Sequence, residues 1–516
     1  MDVQERARGE VDACCSLGAA GGDEVVVVPW PQLLRHRVQH RLQQRVEEKV
    51  AGSERYRWVV LFAVMAGLFS INVTFTVFAV ALPRVAHDFH TDVNTITWVI
   101  TAPLLAFGVA APALGRAGDL WGHKRVYVIA MTGAVLTAVL SAVAWNTGAL
   151  IAARTLDGIE GAATGAAAMA LIFRAFPPED RVKAMGWWSL VGAGGPVIGV
   201  VIGGVVIQHF GWRWIFVAQI PLTFMCLILA SAVLPGTERV HHGSLDWKGA
   251  LTLMVAATGV LFGLNRGPEW GWSSLGVLTA FALSPIALVA FVVIERRAVE
   301  PLLPLEYVRR RNFSFPIATQ ALANFAYMGG FILAPLLLAQ LYGYKEGDIG
   351  LIVIARPLTF SLTAPLAGYL AVRVGERAAA VTGTLFVFAS MLLFASVTRD
   401  TSLAVVIGAL ALSGFGLGAS SPSIASSVGN AVSDDMLGVA SAAQQVTTQM
   451  GVVAGIQVMA TIQAARSHAG LVASFHDAYL VGAGVCVVAV VCAFFIRDYA
   501  RTEAGPGDVR GHFTAA

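Results

Sequence analysis

Fourteen apolar runs of about 17–25 residues, separated by short polar segments, constrain this chain more than any other feature. Each run is long enough, at about 1.5 Å per residue, for a helix to cross the roughly 30 Å hydrocarbon core of a bilayer. They lie near residues 58–80, 96–115, 126–146, 148–172, 184–207, 213–234, 249–265, 274–294, 314–340, 348–371, 378–397, 401–425, 438–460 and 478–496. The expected fold is therefore an all-α polytopic membrane protein. Only 13% of the 516 residues are charged, against about 25% in soluble domains, which excludes a soluble enzyme or a nucleic-acid-binding domain. The early run VVVVPWP is too short for a signal h-region, and basic residues follow it. The five cysteines form neither a disulfide framework nor a metal-ligand spacing.

The basic residues orient the spans. With a cytoplasmic N-terminus, nine of the 35 Lys and Arg fall in the first 57 residues and eighteen in the other inside segments, while only six fall outside and two within spans. This bias predicts that both termini are cytoplasmic. The tail sequence PWPQLLRHRVQHRLQQRVEEKV reads either as a basic amphipathic helix on the anionic inner leaflet or as a solvated, partly disordered extension. The segment ERRAVEPLLPLEYVRRRNF after the eighth span reads as an interfacial helix.

After the second span comes GRAGDLWGHKRV. Gly115 and Gly122 permit a tight turn, Asp119 is a fixed anion, and Lys124 and Arg125 hold the loop inside. This resembles the signature loop of the major facilitator superfamily. The resemblance implies that Asp119 faces the positive N-terminal end of a helix in the opposite half, near Gly438, and so latches the inner gate. Leu120 stands where a basic residue is usual, and His123 replaces another. In the fifth span, Gly195, Gly199 and Gly203 lie four apart on one small-residue face, and Pro196 bends the helix; this looks like the antiporter motif of the superfamily's exporters. GWRWIFVAQIP, VTFTVFAVALP, ERRAVEPLLPL and the ARP of the tenth span are similar to segments of the fourteen-span drug:proton antiporter family.

That family's fold implies two six-helix bundles with two extra linker spans. The expected domains are a cytoplasmic tail (1–57), an N-terminal bundle (58–234), a linker with spans 7 and 8 (235–313), a C-terminal bundle (314–496) and a second tail (497–516). GYLAVRVGER, residues 368–377, is a faint second copy of the signature loop with Val372 at the acid's position. The family's first-span acid is missing as well, since Thr74 occupies its place and Ala79 replaces a usual Asn.

An ionisable trio stands in for it. The fourth span, IAARTLDGIEGAATGAAAMALIF, contains Arg154, Asp157 and Glu160. Ionisable groups at such depth cost several kcal/mol unless paired or hydrated. They lie about 9, 14 and 18 Å along the helix from Gly148, so the two acids bracket the midplane. Successive members are about 60° apart around the helix, and Thr164 continues the arc, which is expected to face a central cavity. One Arg can hold one carboxylate ionised. Asp157 is the expected partner of Arg154, and Glu160 the expected proton carrier. A structural Arg–Asp–Glu network fixing helix packing is the alternative.

Further cavity candidates are Asn72, Thr74 and Thr76 in the first span, Gln320, Asn324 and Tyr327 in the ninth, and Gln445, Thr448 and Gln449 in the thirteenth. Arg356 either binds an anionic group or fixes the inner gate. No phosphate-binding loop for ATP is present. The expected function is proton-coupled efflux of amphipathic drugs, dyes or natural products across the cytoplasmic membrane by alternating access. The expected partners are a small amphipathic substrate, protons and membrane lipids, with no cofactor, metal or nucleic acid, acting as a monomer. A lipid or glycolipid exporter on the same fold is the alternative. A non-transporting receptor or scaffold is a third reading, opposed by the intramembrane charges.

Overall fold

A computed structural model describes residues 54–91, 93–236, 246–298 and 305–498. The basic tail up to residue 53, most of the expected interfacial segment and the chain beyond Asp498 lie outside the described residues. The described residues form sixteen α-helices: α1 (Glu54–Asp88), α2 (Val93–Trp121), α3 (His123–Ala142), α4 (Thr147–Ala175), α5 (Arg181–Phe210), α6 (Arg213–Val233), α7 (Trp247–Trp270), α8 (Leu275–Glu295), the short α9 (Leu305–Arg309), α10 (Arg311–Tyr342), α11 (Glu346–Val353), α12 (Ala355–Val374), α13 (Glu376–Ala395), α14 (Leu403–Asn430), α15 (Leu437–Ala465) and α16 (Leu471–Phe494). Each of the fourteen apolar runs overlaps a long helix, the tenth overlapping the pair α11 and α12. That pair is broken at Ile354 because Pro357 has no N–H to give the Val353 carbonyl.

Among the described residues, ten helices are long and apolar enough to cross a bilayer, or eleven if the bent pair Trp98–Gly108 and Ala110–Trp121 of α2 counts as one span. Fewer helices pass among the described residues than the fourteen expected, and for α15 the reason is physical. A helix covered by other helices need not be uniformly apolar. Thus α15, which packs against both halves, carries Gln444, Gln445, Thr447, Thr448 and Gln449 in sequence proximity. By contrast, α3, α8 and α12 expose Ile129, Leu136, Ile286, Val289, Leu362 and Leu366. Apolar faces of that extent need lipid around them.

The element pairings repeat across the chain. In the first half α2 packs on α4, and α3 on both α4 and α6; in the second α12 packs on α14, and α13 on both α14 and α16. The hairpin α7–α8 lies between them in sequence, and α7 touches α2 and α15. Two equivalent turns join the paired helices, with Gly122 at φ 96° between α2 and α3 and Gly375 at φ 101° between α12 and α13. Only glycine adopts that left-handed conformation at little cost.

Candidate functional site: an ionic trio and a latch between the halves

Helix α4 starts on a capped turn, where the Asn146 side chain accepts a 2.7 Å hydrogen bond from Ala149 N. Glycines allow close approach of its neighbours: a Cβ on Gly158 would sit 2.2 Å from the Pro103 carbonyl of α2, and one on Gly165 would meet the Gln445 side chain of α15 at 2.5 Å. The trio lies beside them. Arg154 bonds Asp157, and its guanidinium lies 5.9 Å from the Phe216 ring of α6. Thr137 of α3 donates to Glu160 Oε1 at 2.8 Å, and Glu160 Oε2 lies over Gly133 with no hydrogen-bond donor among the described residues. All three side chains are buried.

The described contacts of the polar arc are with α3 and α6 of its own bundle. α2 and α15 reach α4 close by, at Gly158 and Gly165, which lie about 20–40° round the helix from Arg154. Thr164 is fully buried, and its hydroxyl has no partner among the described residues.

The signature loop joins the two halves. Gly438 N donates to Asp119 Oδ1 at 2.9 Å and Val439 N to Oδ2 at 3.0 Å, so the carboxylate occupies the N-terminus of α15. Here the first free N–H groups and the helix dipole both favour an anion. A Cβ on Gly115 would lie 2.6 Å from the Gly438 carbonyl, and one on Gly438 would lie 2.4 Å from the Gly115 carbonyl. The crossing therefore depends on both glycines. His123 Nε2 sits 3.1 Å from Asp119 Oδ1, with both groups buried. Lys124 donates to the Leu234 carbonyl at the end of α6, and Arg125 is exposed.

A second set of contacts at the same end was not foreseen. Arg181, opening α5, donates to the Phe173 and Gly429 carbonyls at 3.0 Å each, to Asn430 Oδ1 at 3.1 Å and to Asp434 Oδ1 at 3.3 Å. Arg174 donates to the Asp434 carbonyl at 2.8 Å. Close by, α5 and α12 cross at Gly186 and Gly368: a Cβ on either would come within 2.7 Å of a carbonyl, that of Ala364 or of Val182. The sequence signals were an Arg just after the helix-stopping FPPED and an acidic SDD after α14.

The remaining candidates scatter. Asn324 Nδ2 donates to the Gln320 carbonyl one turn back, and Gln320 Oε1 is buried without a partner among the described residues. Tyr327 lies under the Arg356 guanidinium, 4.2 Å from ring centre to Cζ. Arg356 is fully buried among Tyr327, Gly330 and Tyr479 of its own bundle, at the end of α12 away from the latch. It is therefore not part of the inner gate. Thr448 and Gln449 are half-buried on α15, and Gln445 reaches α4. Asn72 of α1 lies against Gly195 of α5, and Gly199 is buried. The side chains of Thr74, Thr76 and Pro196, and the surroundings of Gly203, lie outside what is described.

The sequence model described as Major Facilitator Superfamily matches residues 62–345 and 317–514. The tetracenomycin C resistance and export protein of Streptomyces glaucescens is 28% identical over 79% of this chain and 76% of its own length. The multidrug transporter protein MdtP of Bacillus subtilis is 26% identical over 81% of this chain and 77% of its own. The puromycin resistance protein pur8 of Streptomyces alboniger is 28% identical over 88% and 93%. Among solved structures, the human organic anion transporter MFSD10 superposes with a TM-score of 0.62 at 16% identity, covering 85% of this chain and 99% of that one. With the repeat of helix pairings, the two glycine crossings and these matches together, the chain is a multi-pass membrane protein belonging to the major facilitator superfamily.

Proposed function

We propose that this protein exports amphipathic organic compounds across the cytoplasmic membrane in exchange for protons, by alternating access of two six-helix bundles within a fourteen-span topology. The relatives' names support efflux, and the inward bias of Lys and Arg supports cytoplasmic termini, which puts the latch at the inner face. The hydrogen bonds of Asp119 and Arg181 between the halves then lie on the cytoplasmic side, as expected for a closed inner gate.

One observation carries the coupling assignment: Arg154 is bonded to Asp157, while Glu160 has no ion pair of its own among the described residues and lies between the Thr137 hydroxyl and the Asp157 carboxyl. A carboxylate without a fixed counter-ion inside a membrane is the one that gains by taking a proton. Thr137 is suited to both states. It donates to Glu160 when the acid is ionised; when the acid is protonated, Glu160 can donate to Thr137, which turns to the Ala134 carbonyl 3.3 Å away.

Proton-driven dye efflux in inverted vesicles tests the reading. Glu160→Gln should lose gradient-driven transport while keeping downhill dye flux, and Asp157→Asn should be impaired through loss of the Arg154 partner. Full gradient-driven transport in both variants would overturn the assignment.

A further inference from the structure

Between the hairpin α7–α8 and the seam where the halves meet lies a cavity of about 490 Å³. Its walls include Leu253 and Ala256 of α7, Phe281 and Leu288 of α8, Pro112 of α2 and Val446 of α15. The lining hydroxyls are already used. Ser284 donates to the Ala256 or Ala280 carbonyl at 3.0–3.1 Å, and Thr447 donates to the Ala443 carbonyl at 2.8 Å. The cavity thus offers no free polar group to recognise a functionalised ligand. Leu288, which is 49% exposed, marks its mouth on the outer face of the hairpin.

Length and charge select an occupant. From Val439 to Met450 the α15 wall runs about 16 Å along the helix, close to the roughly 15 Å that one leaflet contributes to the hydrocarbon core. At the latch end of the hairpin, Lys248 opens α7, and Arg296 and Arg297 follow α8; all three are exposed. The neighbouring acids are turned away, with Asp246 capping α7 through Lys248 N and Gly249 N, and Glu295 only 4% exposed.

We propose that this cavity holds one acyl chain of an anionic phospholipid from the leaflet at the latch end, with its phosphate against Lys248, Arg296 and Arg297. The proposal rests on the membrane fold and is independent of the transport reading. It has a mechanical consequence. The walls belong to the two helices of the latch: Pro112 precedes Gly115 by three residues, and Val439 donates to Asp119. A lipid seated there favours the closed latch to the extent that it binds that arrangement better.

Native mass spectrometry of the purified full chain, titrated with palmitoyl-oleoyl phosphatidylglycerol or phosphatidylcholine, tests this. Wild type should bind the phosphatidylglycerol more tightly. Ala256→Phe and Ala443→Phe, which fill the cavity, should each lower that affinity by about tenfold. The triple variant Lys248→Gln, Arg296→Gln, Arg297→Gln keeps the cavity, so it should lose the preference between the two lipids whether or not the filling variants fold. Equal affinity of wild type for both lipids, or folded filling variants that bind as wild type does, would overturn the proposal. Displacement of the phosphatidylglycerol by a lipophilic dye would assign the cavity to the transported compound and overturn it equally.

Discussion

The signature loop and its second copy make the same crossing with opposite chemistry. In the first, Asp119 reaches the free N–H groups of α15; in the second, Val372 is 42% exposed at the matching position and carries no charge to the other half. The cross-half charge comes instead from Arg181, which meets the carbonyl end of α14. Both charges belong to the N-terminal half, and the C-terminal half answers with the two poles of neighbouring helices. An anion takes the N-terminus of α15, and a cation takes the C-terminus of α14. The acid of the second copy has not vanished. Glu376 sits where the first copy has His123, buried and accepting from Ser427 at 2.8 Å, so it braces its own half. The second copy therefore lacks the motif acid while the helix ends of its half are still capped from the other half.

Substitutions separate the two crossings. The largest effect is expected from Arg181→Met, which leaves the Phe173 and Gly429 carbonyls without their donor. It should lower stability by about 3 kcal/mol, read from thermal unfolding of the purified protein. Asp119→Asn keeps an acceptor but gives up the charge and one of two bonds, a loss of about 1–2 kcal/mol from the closed gate. Faster alkylation of Ser441→Cys, a buried position one turn into α15, would report it in a background free of other cysteines. Gly115→Ala and Gly368→Ala should each cost about 1 kcal/mol and open the gate alike, because their Cβ atoms would meet carbonyls at 2.6 and 2.7 Å. Unequal alkylation rates would mean that only one crossing closes the gate. Smallest of all, Val372→Asp should change closure by less than about 0.5 kcal/mol, since an exposed acid there has no helix end to cap. A marked slowing of alkylation would show that an acid at this position can latch the second crossing as Asp119 does the first.

Much of this was legible in the chain. Hydrophobic periodicity located the long helices to within a few residues at most ends, although α16 begins at Leu471, seven residues before its apolar run. The partner of Asp119 followed from the loop's resemblance and from the position of Gly438. The helices that hold the trio did not. A helical wheel shows that Arg154, Asp157 and Glu160 share a face, but Thr137 of α3 and Phe216 of α6, which meet it, come from other helices whose packing the wheel does not contain. Arg181 was visible only as one more inside cation, because the carbonyls it caps come from a helix some 250 residues later. Arg356 suggested a gate or an anion site through its match to the family; it lies at the end of α12 away from the latch, over the Tyr327 ring, and its guanidinium nitrogens have no hydrogen-bond partner among the described residues.

Proton release on dye binding, measured on purified protein in lightly buffered solution near neutral pH, tests whether Glu160 carries the coupled proton. Wild type should release protons when a lipophilic cationic dye is added, and Glu160→Gln should bind the dye without release. Release from Glu160→Gln equal to that of wild type would contradict the account.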